Sequence, residues 1–273
     1  MRRSCLSVFS LLLLALAACE KPITSDETPD TPEQLDGNFI VSVAKEGLTT
    51  TRLNFALYDM SGTRVKQVNQ QAGNDGFGTA SFQVDNGDYF MVIVAHSSNG
   101  NPTMANPKKI QFTNTQGFTD TFLYSGNVTV GDGQKDISVT LRRIVSLCRF
   151  VLTDDYPAEV TKMRFYYTGG SGAFDATTGF GCVNSKQSVS FDVASGQKTF
   201  DLYTFLHGTE GTIHLLVTAY DAKDNVLCER EFDVPLSQNR ITTLTGSFFS
   251  DSSSAVSTIT VNTDWDGEYH LTF

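Results

Sequence analysis

The feature that most limits what this chain can fold into is a succession of short runs in which apolar and polar residues alternate. Phe39, Val41 and Val43 alternate with Ile40, Ser42 and Ala44, and Leu53, Phe55 and Leu57 repeat the pattern after Arg52. A period of two turns one face of a strand toward a core. No segment of the first half carries the long 3.6-residue apolar period of a helix. Turn residues punctuate the runs. Asp59-Met60-Ser61-Gly62 predicts a hairpin into 63–68, and Asn86-Gly87, between the apolar runs 80–84 and 89–95, predicts a second. Residues 96–107, rich in Ser, Asn, Gly and Pro, read as a loop, and shorter strands are expected at 109–113, 120–124 and 137–144.

The pattern restarts around Arg142. Val145, Leu147, Arg149 and Val151 are expected to pair with Val160, Met163, Phe165 and Tyr167 through a turn at 153–157. A Gly-rich interval at 169–181 precedes runs at 189–193, 199–206 and 212–219, a hairpin at 221–225 into 226–234, and a strand within 240–249. Two series of strands with turns every ~8–12 residues predict a mostly β protein with two β-sandwiches in tandem. Their expected bounds are 38–143 and 144–250. A Ser-rich break then leads to a C-terminal strand or hairpin at 251–273, whose apolar positions include Ile259, Val261, Trp265, Tyr269, Leu271 and Phe273. Such a tail fits a terminal hairpin on the second sandwich. It equally fits a strand lent to another subunit, since any matching edge completes a strand.

The N-terminus has a different logic. Arg2 and Arg3 precede an apolar run that includes 11–14 and ends in Leu16-Ala17-Ala18-Cys19, the form of a bacterial lipobox. The apolar segment is shorter than the ~20 residues a spanning helix needs. Residues 1–18 therefore read as a signal peptide, and Cys19 as the lipidation site and new N-terminus. An ordinary secretory signal followed by a chance cysteine is the alternative. Several acyl chains, each contributing ~0.8 kcal/mol per buried methylene, would make anchoring effectively permanent. Residues 19–37 carry Asp26, Glu27, Asp30, Glu33 and Asp36 with almost no large apolar side chain, which reads as a flexible acidic tether or as a surface-export signal of the Bacteroidetes type.

Charge narrows the partners. Without Arg2 and Arg3 the chain holds 18 basic against 30 acidic residues, a formal charge of −12, which disfavours nucleic acid and anionic lipid. Cys148, Cys182 and Cys228 show no C-x-x-C spacing, and buried free thiols are the default expectation, although one pair could bridge. His96, His207, His214 and His270 have no metal-binding spacing, and Gly169-Gly170-Ser171-Gly172 lacks the second glycine of a nucleophile elbow. Asp154 with Asp155, Glu229 with Glu231, and Asp264 with Asp266 read as solvated carboxylates, and Asp132 with Asp136 lacks a third calcium ligand. The expectation is a non-enzyme with no catalytic residue, cofactor or metal.

The lipobox with its acidic tether, the two strand series, the junction Leu141-Arg142-Arg143-Ile144-Val145 and the closing Thr258-Ile259-Thr260-Val261…Trp265-Asp266-Gly267 together resemble the Bacteroidetes fimbrillin and FimB-type fimbrial anchor lipoproteins. The resemblance covers nearly the whole mature chain. It implies two transthyretin-like (Greek-key) domains and a role at the cell outer membrane or in a type V fimbrium, with other fimbrial subunits as partners joined by strand exchange. It also implies that stalk subunits are cut after a basic residue near the first strand while an anchor stays uncut. Lys45 and Arg52, flanking the loop 46–51, are the candidate processing positions here. Anchor, tip and stalk all remain open, with anchor or accessory subunit favoured. The alternative is a glycan-binding surface lipoprotein of a polysaccharide-uptake system, using Tyr166, Tyr167 or Tyr203 as an aromatic platform.

Overall fold

In the N-terminal half the alternating runs become β1 (Phe39–Val43), β2 (Arg52–Asp59), β3 (Arg64–Gln71), β4 (Thr79–Phe82), β5 (Gly87–His96), β6 (Thr103–Asn106), β7 (Lys109–Gln111), β8 (Phe122–Val130), β9 (Lys135–Val139) and β10 (Arg142–Arg143). The C-terminal half supplies β11 (Ser146–Leu152), β12 (Lys162–Thr168), β13 (Ala173–Asp175), β14 (Phe180–Gly181), β15 (Gln187–Asp192), β16 (Thr199–Thr204), β17 (Glu210–Tyr220), β18 (Val226–Ser237), β19 (Ile241–Gly246), β20 (Ile259–Thr260) and β21 (Glu268–Thr272). The structure is a computed structural model that describes residues 37–44, 49–113, 117–250, 259–260 and 268–273, without the side chains of 259, 260, 268 and 269. The expected signal peptide, Cys19, Lys45, Val261, Trp265, Asp264 and Asp266 lie outside the described residues.

Each half closes a core between two sheets. In the first, the sheet β4-β1-β9 faces β10-β8-β5-β2-β3, and Phe39, Val41, Phe55, Phe82, Met91 and Ile93 are buried between them. In the second, β16-β11-β19-β21-β20 faces β15-β12-β17-β18 around Phe150, Phe165, Phe200, Leu215, Val217 and Phe248. The two halves follow one plan. The first strand of each, β1 or β11, lies between an antiparallel neighbour (β4 or β16) and a parallel one (β9 or β19). The facing sheets also correspond, β8-β5-β2-β3 to β18-β17-β12-β15. The fold is thus all strand among the described residues, two β-sandwiches in tandem.

Two expected pairings are corrected. Residues on either side of Asn86-Gly87 do not form a hairpin, because β4 pairs with β1 while β5 pairs with β2 and β8 in the opposite sheet. A two-residue hairpin turn of this type needs positive φ, which Gly87 does not adopt, and the Asn86 amide is engaged by Asp132 at 2.7 Å. Likewise β11 and β12 belong to opposite sheets. The carboxylate of Asp154 accepts from the N–H groups of Phe248 at 3.0 Å and Phe249 at 2.6 Å, so the segment after β11 is held to the residues that follow β19 instead of reversing directly into β12. The hairpins at 59–62 and 221–225 do form, each nucleated by an aspartate. Asp221 Oδ1 takes the N–H of Lys223 and of Asn225 at 2.8 Å, and Asp224 adopts φ 61° at the tip.

The expected loop 96–107 and the Gly-rich interval 169–181 are not simple connections. They contribute to a fifth sheet, the four-stranded β14-β13-β7-β6, in which Phe174 of the C-terminal half pairs with Ile110 of the N-terminal half. Beneath it a separate apolar cluster gathers Tyr58, Val92, Val94, Met104, Ile110, Phe112, Phe118, Phe174 and Phe205. The basic junction clamps the same region. Arg143 holds Asp120 through two bonds of 2.7 and 2.9 Å and stacks 4.6 Å over Phe122, and its Nη1 reaches Asn239 at 3.3 Å. Arg142 donates to the carbonyl of Thr178 at 2.8 Å.

Candidate functional site

The two termini of the folded body are both strands added to existing ladders. At the C-terminus, β19 is rich in β-branched residues, Ile241, Thr242, Thr243 and Thr245, which favour an extended backbone. Strand β21 lies parallel to it in a register running from Ile241↔Glu268 to Thr245↔Thr272, and the N–H of Phe273 donates to the carbonyl of Thr245 at 2.9 Å. Strand β20 pairs back onto β21 through Ile259↔Tyr269. The side chains of Leu271 and Phe273 reach the second core. The ring of Phe273 stacks on Phe150 at 4.9 Å and meets Phe232 edge-on at 4.8 Å. Close approach explains a glycine here: a Cβ on Gly246 would stand 2.1 Å from the carbonyl oxygen of Phe273. Leu271 also lines a cavity of about 520 Å³ with Glu210, Thr212, Pro235, Leu236 and Ser237.

Of the tail positions read from the sequence, the structure thus brings the backbones of Ile259, Tyr269 and Leu271, with Phe273, onto the chain's own second sandwich. In the first sandwich the strand equivalent to β19 is β9. Among the described residues no strand lies on the outer side of β9, where β21 would correspond. Among the described residues the halves also differ in β10, which extends the first facing sheet beyond β8 with no counterpart beyond β18, and in the sheet β14-β13-β7-β6.

At the N-terminus, β1 is bonded on both sides, and the Asn38 side chain fixes its entry by donating to the Val84 carbonyl at 2.7 Å and accepting from the Val84 N–H at 3.0 Å. Arg52 opens β2 with its residue paired to Gln71 and to His96, and its Nη1 lies 3.4 Å from Asn101 Oδ1. A bond after Arg52 therefore sits inside a ladder, whereas residues 49–51 precede it.

The residues weighed for chemistry are structurally engaged. His96 is fully buried. Its Nδ1 accepts from the Ser98 N–H at 3.1 Å, so Nε2 carries the proton toward Asn54 Oδ1 at 2.8 Å. Burial, reinforced by the Arg52 charge, pushes His96 down to about 4. His214 pairs with Asp233, and His207 meets the Gly181 carbonyl at 2.9 Å. The Ser171 hydroxyl donates to the Ala173 carbonyl at 2.5 Å and accepts from the Val183 N–H at 3.1 Å. Glu229 accepts from Thr218, Asp155 pairs with Lys198, and Asp136 accepts from Gln134. Among the described residues no three His, Cys, Asp or Glu side chains are placed to hold a metal.

Cys148, Cys182 and Cys228 are free thiols. Cys148 is fully buried, which pushes its thiol up to about 12, but Cys182 is exposed, contrary to the expectation of burial. It follows the two-residue β14 at the surface, where no apolar face covers it. Of the tyrosines considered as a platform, Tyr167 is corrected. It is buried, donating its hydroxyl to the Tyr203 carbonyl at 2.9 Å, because it stands on the core-facing side of β12. Tyr203 packs against the third core, and Tyr166 stands on the outer face. Sequence reasoning missed Arg164 and Tyr220 beside it. The alternation Lys162-Met163-Arg164-Phe165-Tyr166-Tyr167 was the signal for Arg164.

Residues 47–272 match the model of the Family of unknown function (DUF6562). No curated protein matches. Among solved structures, a candidate adhesin from Bacteroides ovatus shares 14% identity over 72% of this chain and 82% of its own, with a TM-score of 0.54. A fimbrial assembly protein from Parabacteroides distasonis shares 13% identity over 85% of this chain and 97% of its own, with a TM-score of 0.42. The fimbrial anchor protein Mfa2 from Porphyromonas gingivalis shares 14% over 70% and 80%, with a TM-score of 0.41. At 14% identity the likeness to the Bacteroides ovatus protein is one of fold.

Proposed function

Because the chain belongs to the Family of unknown function (DUF6562), whose match spans residues 47–272, its role rests on its own geometry, and we propose that it is a cell-surface fimbrial subunit that joins neighbours by β-strand pairing. The proposal includes lipid anchoring in the outer membrane through Cys19 and an anchor or accessory position. The observation that carries it is the tail. Strand β21 is a C-terminal strand added in parallel to the edge of β19, and the equivalent edge of β9 has no outer neighbour among the described residues. An unpaired edge presents a row of backbone donors and acceptors that a strand from another chain can satisfy.

The tail positions Ile259, Val261, Trp265, Tyr269, Leu271 and Phe273 are the proposed contact, and cleavage near Lys45 would distinguish a polymerising subunit from an anchor. Two measurements test this. Intact mass of the membrane-extracted protein is expected to give acylated Cys19 as N-terminus for an anchor, and a terminus just beyond Lys45 for a stalk subunit. Deleting 254–273 is expected to abolish co-purification with other surface subunits while the protein remains on the membrane. Unchanged co-purification after that deletion removes the strand-pairing reading.

A further inference from the structure

The sheet β15-β12-β17-β18 turns Met163, Phe165 and Tyr167 into the second core, so Lys162, Arg164 and Tyr166 stand on its outer face. In the first sandwich the corresponding face carries Ala56, Tyr58, Val92 and Val94, and the third core buries it. In the second sandwich the face is polar, and Ser188, Ser190, Glu229 and Glu231 on its outer strands are exposed.

Arg164 is the unusual residue there. Its guanidinium carbon lies 5.9 Å from the Tyr166 ring centre, and its Nη1 donates to the Tyr220 hydroxyl at 3.2 Å. Its Nε–H is buried with no acceptor, the one charged group among the buried side-chain atoms left unpaired in the described residues. Such a donor is costly to leave unmet and calls for an explanation. Lys162 beside it is already engaged, by Asp224 and by the Tyr220 ring at 4.9 Å. Charge is divided across the face. The register places Ser190 on one side of Arg164 and Thr218 on the other, with Glu229 beyond Thr218 and accepting from its hydroxyl at 2.9 Å. Glu231 occupies the same outer strand, opposite Leu216. Three further carboxylates stand on or near the face: Asp224, already on Lys162, Asp233, further along the Glu229–Glu231 strand opposite His214, and Asp192, which lies opposite Lys162 and accepts from the Ala194 N–H at 2.8 Å.

We infer that the β12–β15 side of this face binds an acidic glycan whose carboxylates are well spaced, one uronate carboxylate meeting Arg164 and a sugar ring lying against Tyr166. Because Nε is covered, the carboxylate would be met by the two Nη groups, which the planar guanidinium presents side by side as a lysine does not. A tyrosine ring offers an apolar face with a polar tip, and the serine hydroxyls of β15 both donate and accept. Glu229 and Glu231 bound the site electrostatically, so a glycan with a carboxylate on every sugar is repelled. The inference is independent of strand pairing and of the tail.

The test is calorimetric titration of the full chain with three hexasaccharides: hyaluronan, in which uronate alternates with a neutral sugar, its carboxyl-reduced form, and oligogalacturonate. Hyaluronan is expected to bind, and carboxyl reduction to weaken it by about tenfold or more. Arg164→Gln is expected to weaken it equally, Arg164→Lys not to restore it, and Tyr166→Ala to weaken it further, all at unchanged melting temperature. Failure of hyaluronan to bind overturns the inference. So do equal affinity after carboxyl reduction, full affinity in Arg164→Gln, tighter binding of oligogalacturonate, or tighter binding of a hexaglutamate peptide.

Discussion

Replacing Phe205 with alanine tests whether the two sandwiches stand or fall together. Phe205 is fully buried, although it follows the last residue of β16 in the C-terminal half. Its ring lies 6.0 Å from Phe112, 5.6 Å from Phe118 and 5.0 Å from Phe174, the first two contributed by the N-terminal half. Its backbone is held separately, accepting from the Ser171 N–H at 2.9 Å, so truncation removes the ring and leaves the chain path. Phe→Ala in a core costs about 3–5 kcal/mol, and each aromatic pair lost accounts for ~0.5–1.5 kcal/mol of such a figure. For a body of this size that corresponds to a fall in Tm of about 6–20 °C. Hydrogen exchange in rising denaturant, followed in peptides from β5 and β17, reads the coupling directly. The wild-type peptides are expected to lose protection at one midpoint. In Phe205→Ala, β5 is expected to lose it first, because its outer face has lost its cover. A loss below about 1 kcal/mol, or coincident midpoints in the variant, refutes the reasoning.

Acid should destabilise the protein through His96. Its folded value is about 4, below the ordinary 6.5, so the unfolded chain takes the proton first as pH falls. Stability is expected to be flat above pH 6.5, to drop by about 3 kcal/mol between 6.5 and 4, and to be insensitive to this group below that, as read from urea midpoints. His96→Gln should abolish the slope in that window, leaving the losses below it that come from Asp59 and Asp221, both held low by hydrogen bonds to their turns. Arg143→Lys keeps the charge but loses the paired bonds to Asp120, and is expected to cost about 1.5–3 kcal/mol in denaturant unfolding. Gly246→Ala places a methyl against the Phe273 carbonyl, and is expected to expose 268–272 to exchange and proteolysis while β11 stays protected.

Most strands were legible from alternation, because a half-buried strand must repeat every two residues: β2, β5, β12 and β17 stand where the runs predicted them. Partner choice was not legible. Asn86-Gly87 carries the composition of a hairpin turn, yet β4 finds β1 some forty residues upstream because the Ala80 and Phe82 side chains complete the core opposite Phe55. Pairing is decided by long-range burial, and a local turn signal yields to it. Of the sheet β14-β13-β7-β6 only β7 was anticipated, by the run 109–113, and the rest was hidden for another reason. Strands of two to four residues, as in β6, β13 and β14, are too short to show any period. At the outer face of the second sandwich Tyr166 was readable as an available aromatic, but Arg164 and Tyr220 become neighbours only through the pairing of β12 with β17.

Strand β1 is the first strand of the described residues, and it is bonded along both edges, antiparallel to β4 and parallel to β9. A pull applied at residue 37 along the strand axis loads those two ladders in shear. Their hydrogen bonds then share the force and must break together, whereas a hairpin pulled from its open end unzips one rung at a time. A protein held at that end would resist tension best where it enters its own fold.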